Sequence, residues 1–230
     1  MVVHSASYAE PIYHEIRYPE GDGPFPVVIA LHTSGGFKTV KHQISKYKKS
    51  GYAVYAPDFF RRHGISYRNR FNTWTTYRLK IESELRLIVE VIKQDTRSDK
   101  KNIFAVGFSN GGYWASFLAA RKHVNAAVSH YGVWRWPPSG GWDGFPANYF
   151  DSSSNPVFAI HGAKDSIQKP RFVFGQLDLI KSRSHTFRRH IFPDVGHSWD
   201  CRPCLKDGYN EEATRHALKM TLDFFEHNKR

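Results

Sequence analysis

An α/β fold, with a mostly parallel sheet and helices on both of its faces, is what this sequence predicts, and three observations predict it. Short apolar runs of strand length alternate along the chain with longer stretches of helical periodicity. Strands separated by helices need crossover connections, which make neighbouring strands parallel. The 230 residues contain no internal repeat, low-complexity tract or linker, so 1–230 reads as one domain with a sizeable core.

Ile12 to Tyr18 reads as an early strand, followed by the turn Gly21-Asp22-Gly23-Pro24. Val27 to Leu31 is apolar at every position, as in a strand covered on both faces. Val40 to Lys49 predicts a basic helix and Tyr52 to Ala56 the next strand. Over Thr75 to Gln94, Ile81, Leu85, Ile88 and Ile92 recur at helical spacing and Val89 widens the stripe, which predicts a long amphipathic helix. Ile103 to Val106, Asn125 to Ser129, Val157 to Ile160 and Phe187 to Phe192 are further strands. Glu211 to His227 closes the chain as a helix, with Ala213, Ala217, Met220 and Phe224 on one face.

Composition narrows the class. A hydrophobic fraction of 40% and an aromatic fraction of 15% exclude a disordered chain. No apolar run approaches the roughly 20 residues of a membrane-spanning helix. Met1 to Glu10 lacks the basic start and apolar core of a signal peptide, which fits a cytoplasmic protein if Met1 is the native start and a periplasmic or secreted one if a signal was removed. The net charge of +12 is spread over Lys38 to Lys49, Arg61 to Arg70, Lys100 and Lys101, Lys181 to Arg189, and Lys229 and Arg230. No nucleic-acid-binding motif accompanies these cations, so no nucleic-acid partner is expected and a solvated basic surface is. The sequence leaves the oligomeric state open.

The stretch that carries chemistry is Gly107-Phe108-Ser109-Asn110-Gly111. Ile103 to Val106 leads into it as a strand and Tyr113 to Ala120 leads out as a helix, so Ser109 falls on a sharp turn between them. A serine hydroxyl is a weak nucleophile at neutral pH, and such a turn is useful because it exposes Oγ to a base and sets backbone N–H groups beside the attacked carbonyl. Glycines two before and two after the serine relieve the crowding there. Other reactive residue types also follow strands: His32 to Gly36, then His161, Gly162 and Asp165, then Gly196 and His197. In an open α/β sheet ligands collect outside the carboxyl ends of the strands, so these loops converge on one edge.

Ser109, Asp165 and His197 occur in the chain order of the α/β-hydrolase triad. With Ala56-Pro57-Asp58 at a strand exit, His161-Gly162-Ala163-Lys164-Asp165 as acid loop, and the ending Gly208-Tyr209-Asn210-Glu211-Glu212-Ala213, the chain resembles the dienelactone hydrolase family of the α/β-hydrolase superfamily from about Tyr13 to its last helix. The resemblance implies the α/β-hydrolase fold without a large cap domain, hydrolysis of a small-molecule ester or lactone, and no cofactor or metal. The founding enzymes of that family carry cysteine at the nucleophile position, where this chain has Ser109.

Roles follow from the chemistry. His197 would take the Ser109 proton through Nε2, and Asp165 would hold the other ring nitrogen. Asp194 and Asp200 lie near His197 in sequence and are rival orienters. One oxyanion-hole N–H should come from Asn110, the residue after the nucleophile, and the resemblance implies Ser34 for the second. Tyr131 to Phe150 is dense in aromatics, which makes Trp134 and Trp136 candidates for a pocket wall. Arg61 and Arg62 follow a strand end and are candidates for binding a substrate carboxylate. Cys201-Arg202-Pro203-Cys204 is the only cysteine pair, compatible with a local disulfide in an exported protein or two free thiols in the cytosol. The same triad serves amide and peptide hydrolysis, and a non-catalytic binding protein using the basic surface is the reading from another class.

Overall fold

The computed structural model describes residues 11–135, 145–201 and 208–230. Seven strands form one sheet: β1 (His14–Arg17), β2 (Phe25–Leu31), β3 (Ala53–Pro57), β4 (Ser98–Phe108), β5 (Ala126–His130), β6 (Val157–Gly162) and β7 (Phe187–Phe192). Their order is β1-β3-β2-β4-β5-β6-β7, with β1 antiparallel to β3 and every other pairing parallel. The helices are α1 (Lys41–Lys49), α2 (Arg78–Gln94), α3 (Asn110–Ala120), α4 (Pro170–Arg183) and α5 (Glu211–His227). This is the α/β-hydrolase fold, and the described residues include no large cap. Among the described residues no helix is long and apolar enough to cross a membrane.

Alternation along the buried strands divides the core between the two faces. Val27, Ile29 and Leu31 pack with α2, α3 and α4, while Val28 and Ala30 pack with α1 and α5. The α2 stripe is as the periodicity requires, with Ile81, Leu85, Ile88, Val89 and Ile92 all buried. Each fully buried Ile or Leu contributes roughly 1.5–3 kcal/mol relative to exposure. On α5 the buried face runs through Ala213, Ala217, Thr221, Phe224 and Phe225, with Thr221 rather than Met220 turned fully inward.

Periodicity predicts no helix between β6 and β7, yet α4 lies there. Pro170 occupies its first turn, where a missing N–H costs nothing, and Val173, Leu177 and Ile180 form its buried stripe. The apolar but exposed Phe172 and Leu179 interrupt that stripe in sequence, which hides the period.

Thr221 faces inward because it meets His130, the last residue of β5. His130 Nε2 lies 2.9 Å from Thr221 Oγ1, whose own hydroxyl donates to the Ala217 carbonyl, so His130 is the donor. Complete burial pushes the His130 imidazole down to about 4, a shift that Asp200 opposes and Lys46 reinforces. An unfolded histidine titrates near 6.5, so below that pH the unfolded chain takes up a proton that the native state refuses. Stability should therefore fall as the pH drops from about 6.5 towards 4, by on the order of 3 kcal/mol from this group. His130→Gln, which keeps a donor for Thr221, should flatten that part of a Tm–pH curve. A slope untouched by the substitution would assign the acid sensitivity to other groups.

Candidate active site

The strand order reverses between β2 and β4, and the loops leaving these two strands flank the crevice at that switch point. Ser109 leaves β4 with φ 52° and ψ −109°, outside the conformations side chains usually adopt, and α3 begins at the next residue. Two glycines make this turn possible by close approach. A Cβ on Gly107 would lie 2.0 Å from the Gly111 carbonyl oxygen, and one on Gly111 would lie 2.2 Å from the Leu31 carbonyl oxygen. Both contacts are with backbone, which cannot move aside. The Ser109 N–H is spent on the His130 carbonyl at 3.0 Å, so the elbow is tied to β5.

His197 Nδ1 lies 2.7 Å from Asp165 Oδ2, and Nε2 lies 2.9 Å from Ser109 Oγ. A carboxylate only accepts, so the neutral imidazole carries its proton on Nδ1 and presents Nε2 as acceptor to the serine hydroxyl. Asp165 is itself held fast: Oδ1 accepts from the Ile167 N–H at 2.8 Å and the Gln168 N–H at 2.7 Å. Behind it, His161 Nε2 donates to the Gln168 carbonyl at 3.0 Å and stands 3.4 Å from Asp165 Oδ2. Burial pushes the His161 imidazole below its ordinary value, against the opposing charge of Asp165. All three of Ser109, Asp165 and His197 are buried, and Ser109 and His197 line a cavity of about 670 Å³.

The rival carboxylates are occupied elsewhere. Asp194 is exposed and pairs with Lys164 at 2.8 Å. Asp200 is buried but accepts from Tyr131 and Gln43.

In the loop after β2, the Thr33 hydroxyl donates to Thr39 Oγ1 at 3.0 Å and accepts from the Gly35 N–H at 3.0 Å, while the Thr33 carbonyl accepts from the Gly36 N–H. The Thr33 N–H donates to Thr39 Oγ1. His32 stacks on Phe59 with ring centroids 3.9 Å apart and bonds the Thr33 carbonyl through Nδ1 at 2.7 Å, which fixes the root of the loop. Every neighbouring donor being spent, the Ser34 N–H is left without a protein acceptor among the described residues, and so is the Asn110 N–H at the start of α3. Ser34 and Ser109 line the same cavity.

Arg61, Arg62 and Trp134 fall elsewhere, and much of the cavity wall comes from residues not proposed for it from the sequence. Arg61 and Arg62 do not line the cavity. Arg62 donates to Glu84 at 3.3 Å and to the Pro11 carbonyl at 3.2 Å, and Arg61 lies over the Tyr13 ring. The 3₁₀ turn at Arg61–His63 carries them away from the crevice. Trp134 is fully buried against Phe187 in the core, and Tyr149 and Phe150 are buried there too, so these three aromatics of that segment form core rather than wall. Trp136 lies outside the described residues. Lys38, His42, Tyr67, Arg70 and Ile167 line the cavity instead. Lys38 and Arg70 stand at the two outer ends of basic runs visible in the sequence, and only the fold shows that both ends line one pocket. Arg70 is stacked over the Tyr67 and Phe71 rings, 4.2 Å from each centroid, and donates to the Tyr67 carbonyl. Among the described residues neither Lys38 nor Arg70 makes an ion pair, and no carboxylate lines the cavity. Cys201, also at the cavity, is in a disulfide; Cys204 lies outside the described residues.

A model of the dienelactone hydrolase family matches residues 15–229, nearly the whole chain. The chain belongs to that family. Membership makes it a hydrolase and agrees with the fold of its structural relatives. A Klebsiella pneumoniae protein assigned as a dienelactone hydrolase superposes with a TM-score of 0.77 at 20% identity, over 93% of this chain and 92% of the other. A dienelactone hydrolase-like promiscuous phosphotriesterase from metagenomic libraries gives 0.72 at 18% identity, over 94% and 92%. Thermogutta terrifontis esterase 2, in a form phosphorylated by paraoxon, gives 0.71 at 15% identity, over 93% and 88%. At these identities the likeness is one of fold. A comparison with curated proteins finds no match.

Proposed function

We propose that this hydrolase cleaves carboxylic ester or lactone bonds through an acyl-enzyme on Ser109. The observation that carries the reading is His197 held between Ser109 Oγ and Asp165 Oδ2 with its acceptor nitrogen towards the serine. Ser109 Oγ attacks the acyl carbon as His197 Nε2 takes its proton, and the carbonyl oxygen becomes an oxyanion between the Ser34 and Asn110 N–H groups. Asp165 stabilises the imidazolium without taking its proton. Collapse expels the alcohol, protonated by His197, and leaves the acyl group on Ser109. Water attacks the ester as the same nitrogen takes one of its protons, and His197 passes that proton to Ser109 Oγ as the acid leaves carrying the other. A panel of p-nitrophenyl esters, lactones and aryl amides assayed beside Ser109→Ala tests the reading; turnover confined to amides, or no turnover at all, would overturn it.

The cavity lining also orders the substrates. Lys38 and Arg70 supply two cations, and among the described residues no carboxylate lines the cavity with them. Esters or lactones carrying a carboxylate should have lower KM than neutral analogues, and the preference should shrink with salt, since screening limits exposed charges to about 8 Å at physiological ionic strength. Lys38→Ala with Arg70→Ala should abolish the preference and leave kcat on neutral esters unchanged, because the binding removed is common to ground and transition states. Equal KM for charged and neutral substrates in the unaltered protein would count against this order.

A further inference from the structure

Asp200, three residues beyond His197, is a buried carboxylate that the proposed triad does not use. Its Oδ1 accepts from the Tyr131 hydroxyl at 2.6 Å and its Oδ2 from Gln43 Nε2 at 2.8 Å. One side chain thus joins the His197 loop to the residue after β5 and to α1. Among the described residues it makes no ion pair within 4 Å, so its charge rests on these hydrogen bonds and on more distant cations.

Tyr131 connects this carboxylate to the base. Its ring meets the His197 imidazole at 63° with centroids 4.9 Å apart, and meets Trp199 nearly edge-on at 4.7 Å. Its backbone has φ 38°, a conformation that a residue other than glycine keeps only where its surroundings dictate it. The Tyr131 N–H donates to the Ile160 carbonyl, and the Ser109 N–H to His130 beside it. The phenol ring therefore has a fixed root at the nucleophile elbow and a fixed tip at Asp200.

We infer that Asp200, acting through Tyr131, is a positioning residue for His197. The carboxylate fixes the phenol, and the ring of that phenol limits how the imidazole can tilt away from Ser109. This inference rests on the triad reading above. The charged and titratable groups around the pair are His42, Lys46 and Tyr47 from α1 and His130 from β5; His197 also faces Asp165, with His161 of β6 behind it. Burial, followed by the Asp200 charge, holds the Tyr131 phenol far above its ordinary range, so it stays a donor throughout the working pH range.

The test measures kcat and KM separately with p-nitrophenyl acetate, normalised to active sites counted with a fluorophosphonate. Tyr131→Phe and Asp200→Ala should each lower kcat about tenfold, since small misplacements of a catalytic group are costly, with KM unchanged. The double variant should be no worse than either single one, because both remove the same contact. Asp200→Asn keeps an acceptor for Tyr131 and should recover most of kcat. Folded variants with unaltered kcat, even with a lower Tm, would make Asp200 a structural anchor only and overturn the inference. Losses that multiply in the double variant would also overturn it. If Asp200→Ala does not fold, Tyr131→Phe and Asp200→Asn decide the question. A Ser109→Ala protein that still turns over would overturn the triad reading itself, and the role of the pair with it.

Discussion

Ser109→Ala is expected to lose about 10⁶-fold in kcat, the scale found where nucleophile and base act as a unit. The reason is local. Ser109 Oγ is the hydroxyl that meets an acceptor nitrogen of a histidine whose other nitrogen is fixed by a carboxylate. An alanine methyl leaves the turn intact, since the strain at this position lies in the backbone and its relief in the two glycines. The variant should therefore fold with an unchanged Tm, bind substrate, and fail to react. A fluorophosphonate should label the unaltered protein at this serine and leave the variant unlabelled. Labelling that persists in Ser109→Ala would place the nucleophile elsewhere.

Asp165→Asn should cost about 10⁴-fold in kcat with the fold retained. The Ile167 and Gln168 N–H groups would still hold Oδ1, so the side chain stays in place. The amide, however, can turn an NH₂ towards His197. That favours the tautomer with the proton on Nε2, which has no lone pair for the serine proton. Asp194→Asn should be nearly silent, because an exposed ion pair is worth at most about 1 kcal/mol and Asp194 faces Lys164 rather than the base. A crippled Asp194→Asn beside a mild Asp165→Asn would identify a different orienting acid.

The fold and the triad differ from the pocket in how far the sequence exposes them. Val27 to Leu31 and the stripe from Ile81 to Ile92 are legible because burial on a sheet or helix face imposes a period that residues a few positions apart must obey. α4 is not, because Phe172 and Leu179 are apolar and exposed, and a sequence does not separate apolar residues in a core from apolar residues on a surface. The turn at Ser109 is legible because its crowding demands glycines at fixed offsets, and the carbonyls of Gly111 and Leu31 stand where a Cβ would go.

What the sequence by itself determined is therefore what short-range constraints dictate: the alternation of strands and helices, the elbow, and the order of Ser109, Asp165 and His197 after β4, β6 and β7. Only the tertiary structure decided which cations face the cavity. Arg61 and Arg62 follow a strand on the correct edge, but a single 3₁₀ turn swings them to Glu84 and Tyr13, while Arg70 and Lys38, 32 positions apart in the chain, line one cavity. It also decided between the carboxylates, bringing Asp165 to the imidazole and sending Asp200 to Tyr131 and Gln43. Charge leaves no period in a sequence, and the partner of a charged group is set by which loops the sheet brings together.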